Sequence, residues 1–193
     1  MWKDNLRGIY YIAVKDMKTY YLKPPAVSWG IVFPAVWILA FYLRNPQNFE
    51  ELVPGLIAMT VLFITTAAEA VVINFELRIG SLERLLLAPV SLAAVLLGKI
   101  LGGVIFGFIM TTVVTLSSVL VLGLQVNVLS LVLILIPSLF ALSSLGALSC
   151  VLVTEVFEAQ TLLNLPRFVM IFLCGVIYPV SALPPGLKHF AYP

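Results

Sequence analysis

Two ionisable residues, Glu69 and Lys99, interrupt long apolar stretches of the chain and are the first candidates for chemistry. A carboxylate and an ammonium can form an ion pair, relay a proton or bind a charged substrate. Each lies about 10 Å of helix rise inside its apolar stretch, counted from Phe75 and Ser91 respectively. Because an unpaired charge at the bilayer centre is costly, we predict that Glu69 and Lys99 pair between antiparallel helices. Such a pair would either orient the two helices or serve as a proton or substrate site.

Sequence motifs for hydrolytic chemistry are missing. The single histidine, His189, gives no metal-binding cluster of the usual His and Cys spacing. The one Gly-Lys pair, Gly98-Lys99, is followed by Ile100 and not by Ser or Thr, and no G-x-S-x-G nucleophile motif occurs. We therefore predict that this chain is not an enzyme, has no catalytic residue and binds no metal or cofactor itself.

The composition is that of a membrane protein. Hydrophobic residues make up 62% of the 193-residue chain and charged residues only 10%, the reverse of a soluble surface. No charged residue or histidine occurs from Ile100 to Thr154, which indicates two spans joined by a turn near Gly123, Gln125 and Asn127. The net charge of +2 is too small and too scattered for a nucleic-acid surface.

The apolar stretches predict an all-α fold, a polytopic transmembrane helical bundle that follows an N-terminal amphipathic interface helix. Five stretches reach or approach the roughly 20 residues that cross the hydrocarbon core. An irregular segment follows the fifth stretch, so we expect a sixth span to be missing from the chain. The predicted limits are 1–23 for the interface helix and 24–193 for the transmembrane domain, with spans at 25–43, 52–75, 92–122, 128–153 and 168–183.

The N-terminal segment predicts an amphipathic helix that lies in the membrane interface. Charges recur throughout it, whereas a cleaved signal peptide has an uninterrupted apolar core. The predicted apolar face consists of Trp2, Leu6, Tyr10, Ala13, Met17 and Tyr21, and the charged side of Lys3, Asp4, Arg7, Lys15, Asp16 and Lys18.

Lysine and arginine positions predict a multi-pass protein of the cell membrane with a cytoplasmic N-terminus, by the positive-inside rule. The loops on the other side hold only Arg44 and Lys188. The predicted cytoplasmic cations are Lys3, Arg7, Lys15, Lys18, Lys23, Arg78, Arg84, Lys99 and Arg167.

Small residues repeat along the third and fourth predicted spans. Their spacing predicts faces where helix backbones approach closely. They are Gly98, Gly102, Gly103 and Gly107 in the third span, and Ser143, Gly146, Ala147 and Cys150 in the fourth.

The loop between the second and third predicted spans contains a short amphipathic helix, at about residues 80–90. We expect Ser81 to cap this helix and Pro89 to end it. An exposed amphipathic helix of this kind lies either on the lipid headgroups or against a partner protein. One face carries three leucines and the other a charged pair, namely Leu82, Leu85 and Leu86 against Glu83 and Arg84.

This loop resembles the second cytoplasmic segment of type-2 ATP-binding-cassette (ABC) exporter permeases, which carries a Gly-Ser/Thr-Leu-Glu-Arg-Leu-Leu pattern ending near Pro-Val-Ser. Gly80 to Leu86 and Pro89 to Ser91 match that pattern. The resemblance continues through Gly98-Lys99 and through Gly175 to Pro184, which is similar to the family's Gly-x-x-x-Pro-x-x-x-x-Pro ending of the fifth span. It therefore covers nearly the whole chain.

The resemblance implies a membrane-spanning permease subunit of an ABC exporter, a family whose members usually have six spans. Such a subunit couples a separate cytoplasmic ABC ATPase, which binds ATP and Mg, to the export of a hydrophobic or amphipathic substrate such as a drug, lipid or glycoconjugate. A second permease, in a homo- or heterodimer, and the lipid bilayer are further implied partners, and the N-terminal helix would flank the ATPase. The residues that the resemblance assigns to ATPase coupling are Glu76, Gly80, Ser81, Leu82, Glu83, Arg84, Leu85, Leu86 and Pro89.

Two other functions remain open from the residues alone. An ion-coupled secondary transporter would use Glu69 and Lys99 as a relay, but it would need inverted internal repeats, and none is found in the sequence. A membrane assembly factor without transport activity is the other alternative.

Overall fold

The computed structural model describes residues 2–44, 49–122, 127–153 and 155–173, together with Pro184 and Gly186. These residues form seven α-helices and one π-helical turn, with no strand among them, which confirms the all-α bundle. The helices are α1 (Trp2–Asp16), α2 (Pro24–Arg44), α3 (Phe49–Arg78), α4 (Ser81–Leu86), α5 (Leu92–Leu122), α6 (Val128–Leu152) and α7 (Val156–Leu173), and the π-helical turn is Met17–Tyr21.

Within the described part of the chain, four helices are long and apolar enough to cross a membrane. The candidate spans are Ala26–Arg44 in α2, Val53–Arg78 in α3, Leu92–Leu120 in α5 and Val128–Leu152 in α6. Helix α3 packs against α2, α5, α6 and α7 and is the centre of the bundle.

Helix α6 runs in the same direction as α3. Leu131, near the start of α6, packs with Val53 and Leu56 near the start of α3. Near the ends of the two helices, Asn74 Nδ2 donates to Cys150 Sγ at 3.0 Å. The apolar stretch after α6 must therefore return along α3 in the opposite direction.

Helix α7 makes this return and begins well before the start predicted for the fifth span. The prediction placed that start at Phe168, whereas α7 begins at Val156; residues 174–183 of the predicted span lie outside the described part of the chain. The limits of the fifth span stay a prediction, but the helix itself begins earlier, because the polar side chains of this segment do not interrupt it. Instead, Ala159, Leu163 and Arg167 recur at helical spacing and are all buried.

Helix α1 packs along the first half of α5. Glycines of α5 make this approach possible: a Cβ on Gly98 would lie 2.9 Å from Ile12 Cβ, and one on Gly102 would lie 3.3 Å from the Tyr21 ring. Ser91 N also donates to Asn5 Oδ1 at 3.0 Å, so α1 contacts the turn that precedes α5.

The face of α1 that packs on α5 differs from the predicted apolar face. Of the residues on the predicted apolar face, Ala13, Met17 and Tyr21 are buried within the chain, whereas Trp2, Leu6 and Tyr10 are exposed. Asp16, which the prediction placed on the charged outer side, is fully buried together with Ile12. The helix is rotated toward its Asp16 edge because that carboxylate finds a cation inside the bundle.

Candidate functional site

A sharp reversal after α3 positions the short helix α4. Gly80 has φ 68°, in the left-handed region that favours glycine, and its amide donates to the Leu77 carbonyl at 3.1 Å. The predicted cap was wrong: Gly80 takes the N-cap position, while Ser81 is the first residue of α4 and makes no capping hydrogen bond. The reversal demands a positive φ just before the helix, and serine accommodates that poorly.

Helix α4 has an inner and an outer side. Leu82 packs against the main core cluster, and Ser81 and Leu85 are half-buried. Pro89, which follows the helix, is exposed. The outer side, here named the α4 surface, consists of Glu83, Arg84, Leu86 and Leu87. Leu87 is 86% exposed and was not singled out from the sequence.

Four charged side chains form an ion cluster near this turn: Asp16, Glu76 and Lys99, which are buried, and Lys15, which is partly exposed. Lys99 Nζ donates to Asp16 Oδ2 at 2.9 Å and to Glu76 Oε2. Lys15 Nζ donates to Glu76 Oε1 at 2.5 Å and lies 3.0 Å from Asp16 Oδ1. Two cations and two carboxylates neutralise one another, so the ion cluster ties α1, α3 and α5 together without net charge.

Asp16 is the carboxylate of the ion cluster that lies outside the candidate spans. Burial raises the pKa of Asp16 above its usual value, although the charges of Lys99 and Lys15 act in the opposite direction. The stability of the ion cluster therefore depends on both lysines.

The predicted pair of Glu69 and Lys99 was wrong. Lys99 binds Asp16 and Glu76, whereas Glu69 lies against Gly103, one turn farther into α5 and about 6 Å deeper than Lys99. Glu69 and Lys99 lie at similar depths when counted from Phe75 and Ser91, but Asp16 enters the bundle and binds Lys99. Lys99 and Glu69 therefore do not form the direct relay that the ion-coupled alternative required.

The position of Glu76 also does not suit its predicted role in contacting an ATPase. Its side chain is fully buried and its carboxylate is bound by Lys15 and Lys99. Glu76 therefore cannot contact a partner protein while these ion pairs hold. It lies in the last turn of α3, so it joins the ion cluster to the Gly80 reversal.

Glu69 has a hydroxyl donor in place of a cation. Tyr21 Oη donates to Glu69 Oε2 at 2.8 Å, while Oε1 has no hydrogen-bond partner. Burial and the nearby Glu69 carboxylate raise the pKa of Tyr21 well above its usual value, so the hydroxyl keeps its proton. A Cβ on Gly103 would collide with the Glu69 carboxylate and would lie 2.7 Å from Ser143 Oγ.

The predicted small-residue faces lie where helices approach most closely. A Cβ on Gly107 would lie 2.5 Å from Thr65 Oγ1 of α3 and 2.7 Å from Leu139 of α6. One on Gly146 would lie 2.8 Å from the Thr66 carbonyl oxygen. Gly98 and Gly102 of α5 therefore face α1, whereas Gly107 of α5 and Gly146 of α6 lie at the contacts that bring α3, α5 and α6 together.

A cavity of about 740 Å³ lies between the π-helical turn and helices α2, α3, α5 and α7. Its walls are largely apolar and include the rings of Phe33, Phe63 and Phe106. Two cations, Lys23 and Arg167, also line it. Sequence reasoning missed this cavity because it placed Arg167 in a cytoplasmic loop, whereas the side chain lies in α7 beside the middle of α3.

Comparison with known proteins gives a consistent result. A model of the ABC-2 type transporter family matches residues 7–192. The probable multidrug ABC transporter permease YbhS of Escherichia coli (strain K12) is 26% identical over 164 residues, covering 82% of this chain and 44% of YbhS. The inner membrane transport permease YadH of Escherichia coli (strain K12) is 33% identical over 184 residues, covering 87% of this chain and 69% of YadH.

The match thus spans less than half the length of YbhS and about two thirds of YadH. No solved structure matches the chain.

Proposed function

Because this chain belongs to the ABC-2 type transporter family, we propose that it is the membrane-spanning permease subunit of an ATP-driven exporter. Its relatives YbhS and YadH carry the name permease. In this proposal the ATP and Mg are bound by a separate cytoplasmic ATPase, and the cargo is hydrophobic or amphipathic. Two permeases, identical or different, form one transporter in the cell membrane, as the resemblance of the α4 loop implies.

The observation that supports this proposal most is the connection between the α4 surface and the ion cluster. Glu76 lies just before the Gly80 reversal and binds Lys99 on α5 and Lys15 on α1. A force applied to α4 would therefore reach two other helices through ion pairs. Such a rigid connection is what a rigid-body transition of the bundle needs.

The N-terminal half of α1 belongs to the same end of the molecule as α4. Asn5 accepts the bond from Ser91, and a Cβ on Gly8 would lie 2.5 Å from Val90 Cγ1. We propose that this end is cytoplasmic and that the ATPase contacts the α4 surface with α1 beside it. Lys3, Arg7, Lys18 and Arg84, all exposed here, give the end the positive charge that the positive-inside rule requires.

Charge reversal on the α4 surface tests this proposal. The double variant Glu83→Arg/Arg84→Glu would be expressed with an affinity tag in its native host, and proteins that copurify from solubilised membranes would be identified by mass spectrometry. We expect an ABC ATPase with the wild type and its loss with the double variant, because both side chains are exposed on α4. The matched control is Arg44→Glu, an exposed charge at the other end of the bundle.

Two results would contradict the proposal. One is recovery of the same ATPase with the double variant at the wild-type level. The other is a wild-type preparation, saturated with crosslinker before solubilisation, from which no ATPase is recovered. Size-exclusion profiles of all variants would show that the bundle itself is intact.

A further inference from the structure

Arg167 is a buried cation whose described neighbours are all neutral. Its side chain is 3% exposed. Nε donates to Thr66 Oγ1 at 2.9 Å, and Nη1 donates to Gln160 Oε1 and Asn164 Oδ1 at 3.2 Å each. The guanidinium lies 5.2 Å from the centroid of the Phe63 ring. Nη2 has no hydrogen-bond partner among the residues that the structure describes.

This charge lies at the middle of the bundle. Thr66 is about 18 Å of helix rise from Arg78 and about 20 Å from Val53, the two ends of the candidate span in α3. Buried charges in such surroundings are normally paired, because the apolar interior replaces none of the hydration that they lose. A compensating anion is therefore expected at Arg167.

The described carboxylates of the bundle do not supply that anion. Asp16 and Glu76 bind the two lysines of the ion cluster, and Glu69 is held by Tyr21 against α5.

The cavity that Arg167 lines has the shape and chemistry for an external anion. It extends along α3 from Phe63 to Phe75, about 18 Å of helix rise, and its volume of about 740 Å³ is that of a small-molecule site. No acidic residue lines it among the described residues. Its walls fit an apolar chain, and a guanidinium binds phosphate or carboxylate through paired hydrogen bonds.

We propose that this cavity binds an amphipathic anion, an apolar chain with one phosphate or carboxylate group, and that the anionic group is held by Arg167. This proposal rests on the proposed function in one respect: it names the amphipathic anion as the class of cargo that the permease exports. Binding itself requires neither the ATPase nor the α4 surface.

Equilibrium binding of two matched probes tests the site. The chain in phosphatidylcholine nanodiscs would be titrated with tritiated monododecyl phosphate and with tritiated 1-dodecanol, with empty nanodiscs as the blank. A charge-assisted hydrogen bond is expected to favour the phosphate by about tenfold or more. In Arg167→Gln that preference should fall to about twofold or less, while binding of the alcohol stays within about threefold, because the apolar walls are unchanged.

Two further variants complete the test. Lys23→Gln removes the exposed cation that also lines the cavity and should leave the preference within about twofold, since exposed charges are screened by solvent. Ala67→Phe fills part of the cavity and should weaken both probes by about tenfold or more. Ala67→Phe keeps the proposal testable if Arg167→Gln does not fold.

Several outcomes would overturn the proposal. They are equal binding of the two probes by the wild type, a preference that survives in Arg167→Gln, a preference that disappears in Lys23→Gln alone, and wild-type binding by Ala67→Phe. The proposed function fails separately, because loss of the ATPase from Glu83→Arg/Arg84→Glu should leave the probe preference unchanged, and Arg167→Gln should still copurify with the ATPase.

Discussion

Lys99 and Arg167 are both buried cations in this bundle, but their surroundings differ. Lys99 contacts two carboxylates, Asp16 and Glu76, and its charge is neutralised within the chain. Among the described residues, Arg167 contacts neutral acceptors and an aromatic ring and no carboxylate. A neutralised charge stabilises one arrangement of helices, whereas a charge without a counterion is available to a ligand. The two sites therefore predict opposite responses to mutation.

The largest expected effect comes from removing both carboxylates of the ion cluster. Asp16→Asn/Glu76→Gln leaves Lys99 buried without a counterion, which typically costs about 3–5 kcal/mol. We expect the double variant to lose its monodisperse size-exclusion peak in detergent and to unfold at a much lower temperature than the wild type.

Adding Lys99→Met to this double variant provides the control. An apolar replacement of a whole buried ion pair is often neutral, so the triple variant should regain most of the lost stability. If the double variant unfolds at the wild-type temperature, the ion cluster does not stabilise the bundle and the contrast with Arg167 is lost.

Stabilisation of the fold by a bound anion should depend on Arg167, the buried cation for which no counterion is described. At a monododecyl phosphate concentration of about 100 times Kd, a ligand that binds only the folded state adds about 2.7 kcal/mol. We expect a corresponding rise in the unfolding temperature of the wild type and little or no rise for Arg167→Gln. A rise of equal size in both proteins would show that the probe stabilises the bundle elsewhere.

The reversal that joins the ion cluster to α4 should show an intermediate effect. Gly80→Ala forces a Cβ into the left-handed region, which costs about 1 kcal/mol or somewhat more. Since no atom lies within 4 Å of the Cβ position, the cost is one of backbone strain and not of collision. Gly186→Ala, which also has open space around the Cβ, is the matched control. Thermal unfolding and ATPase recovery would be measured together; an unchanged variant would contradict the strain argument.

The smallest effect is expected at Glu69, a buried carboxylate that makes no direct ion pair with any described residue. In Glu69→Gln the amide oxygen can still accept the hydrogen bond from Tyr21, so the change in stability should stay within about 1 kcal/mol. The unfolding temperature of Glu69→Gln would be compared with that of Glu76→Gln, which makes the same chemical change in the ion cluster. A larger loss for Glu69→Gln than for Glu76→Gln would mean that Glu69 stabilises the bundle by more than the hydrogen bond from Tyr21.

Apolar length alone predicted the helices that form most of the bundle. The bounds of α2, α3, α5 and α6 lie within three residues of the limits expected from the sequence. This succeeded because backbone groups in hydrocarbon must be satisfied within a helix, so a long apolar stretch has one outcome. The positions of Leu82 and Arg84 on a short helix were likewise visible in the local pattern.

Polar residues inside the bundle were not predicted, for a physical reason. Asp16 was placed on the outer side of α1, and Arg167 in a loop, because each is charged and hydropathy assigns charge to water. Their burial depends on partners that lie far away in the chain: Lys99 for Asp16, and Thr66 for Arg167. A single sequence does not encode such pairings in any local spacing.

The order of the charged residues along the chain has a consequence for biosynthesis. Asp16 and Glu76 are synthesised before Lys99, so both carboxylates are already present when α5 emerges from the ribosome. Lys99 can therefore enter the bilayer with its counterions in place, and its insertion depends on no later segment. The ion cluster would then work as an assembly checkpoint, in which α5 is retained only if α1 has already docked at the membrane.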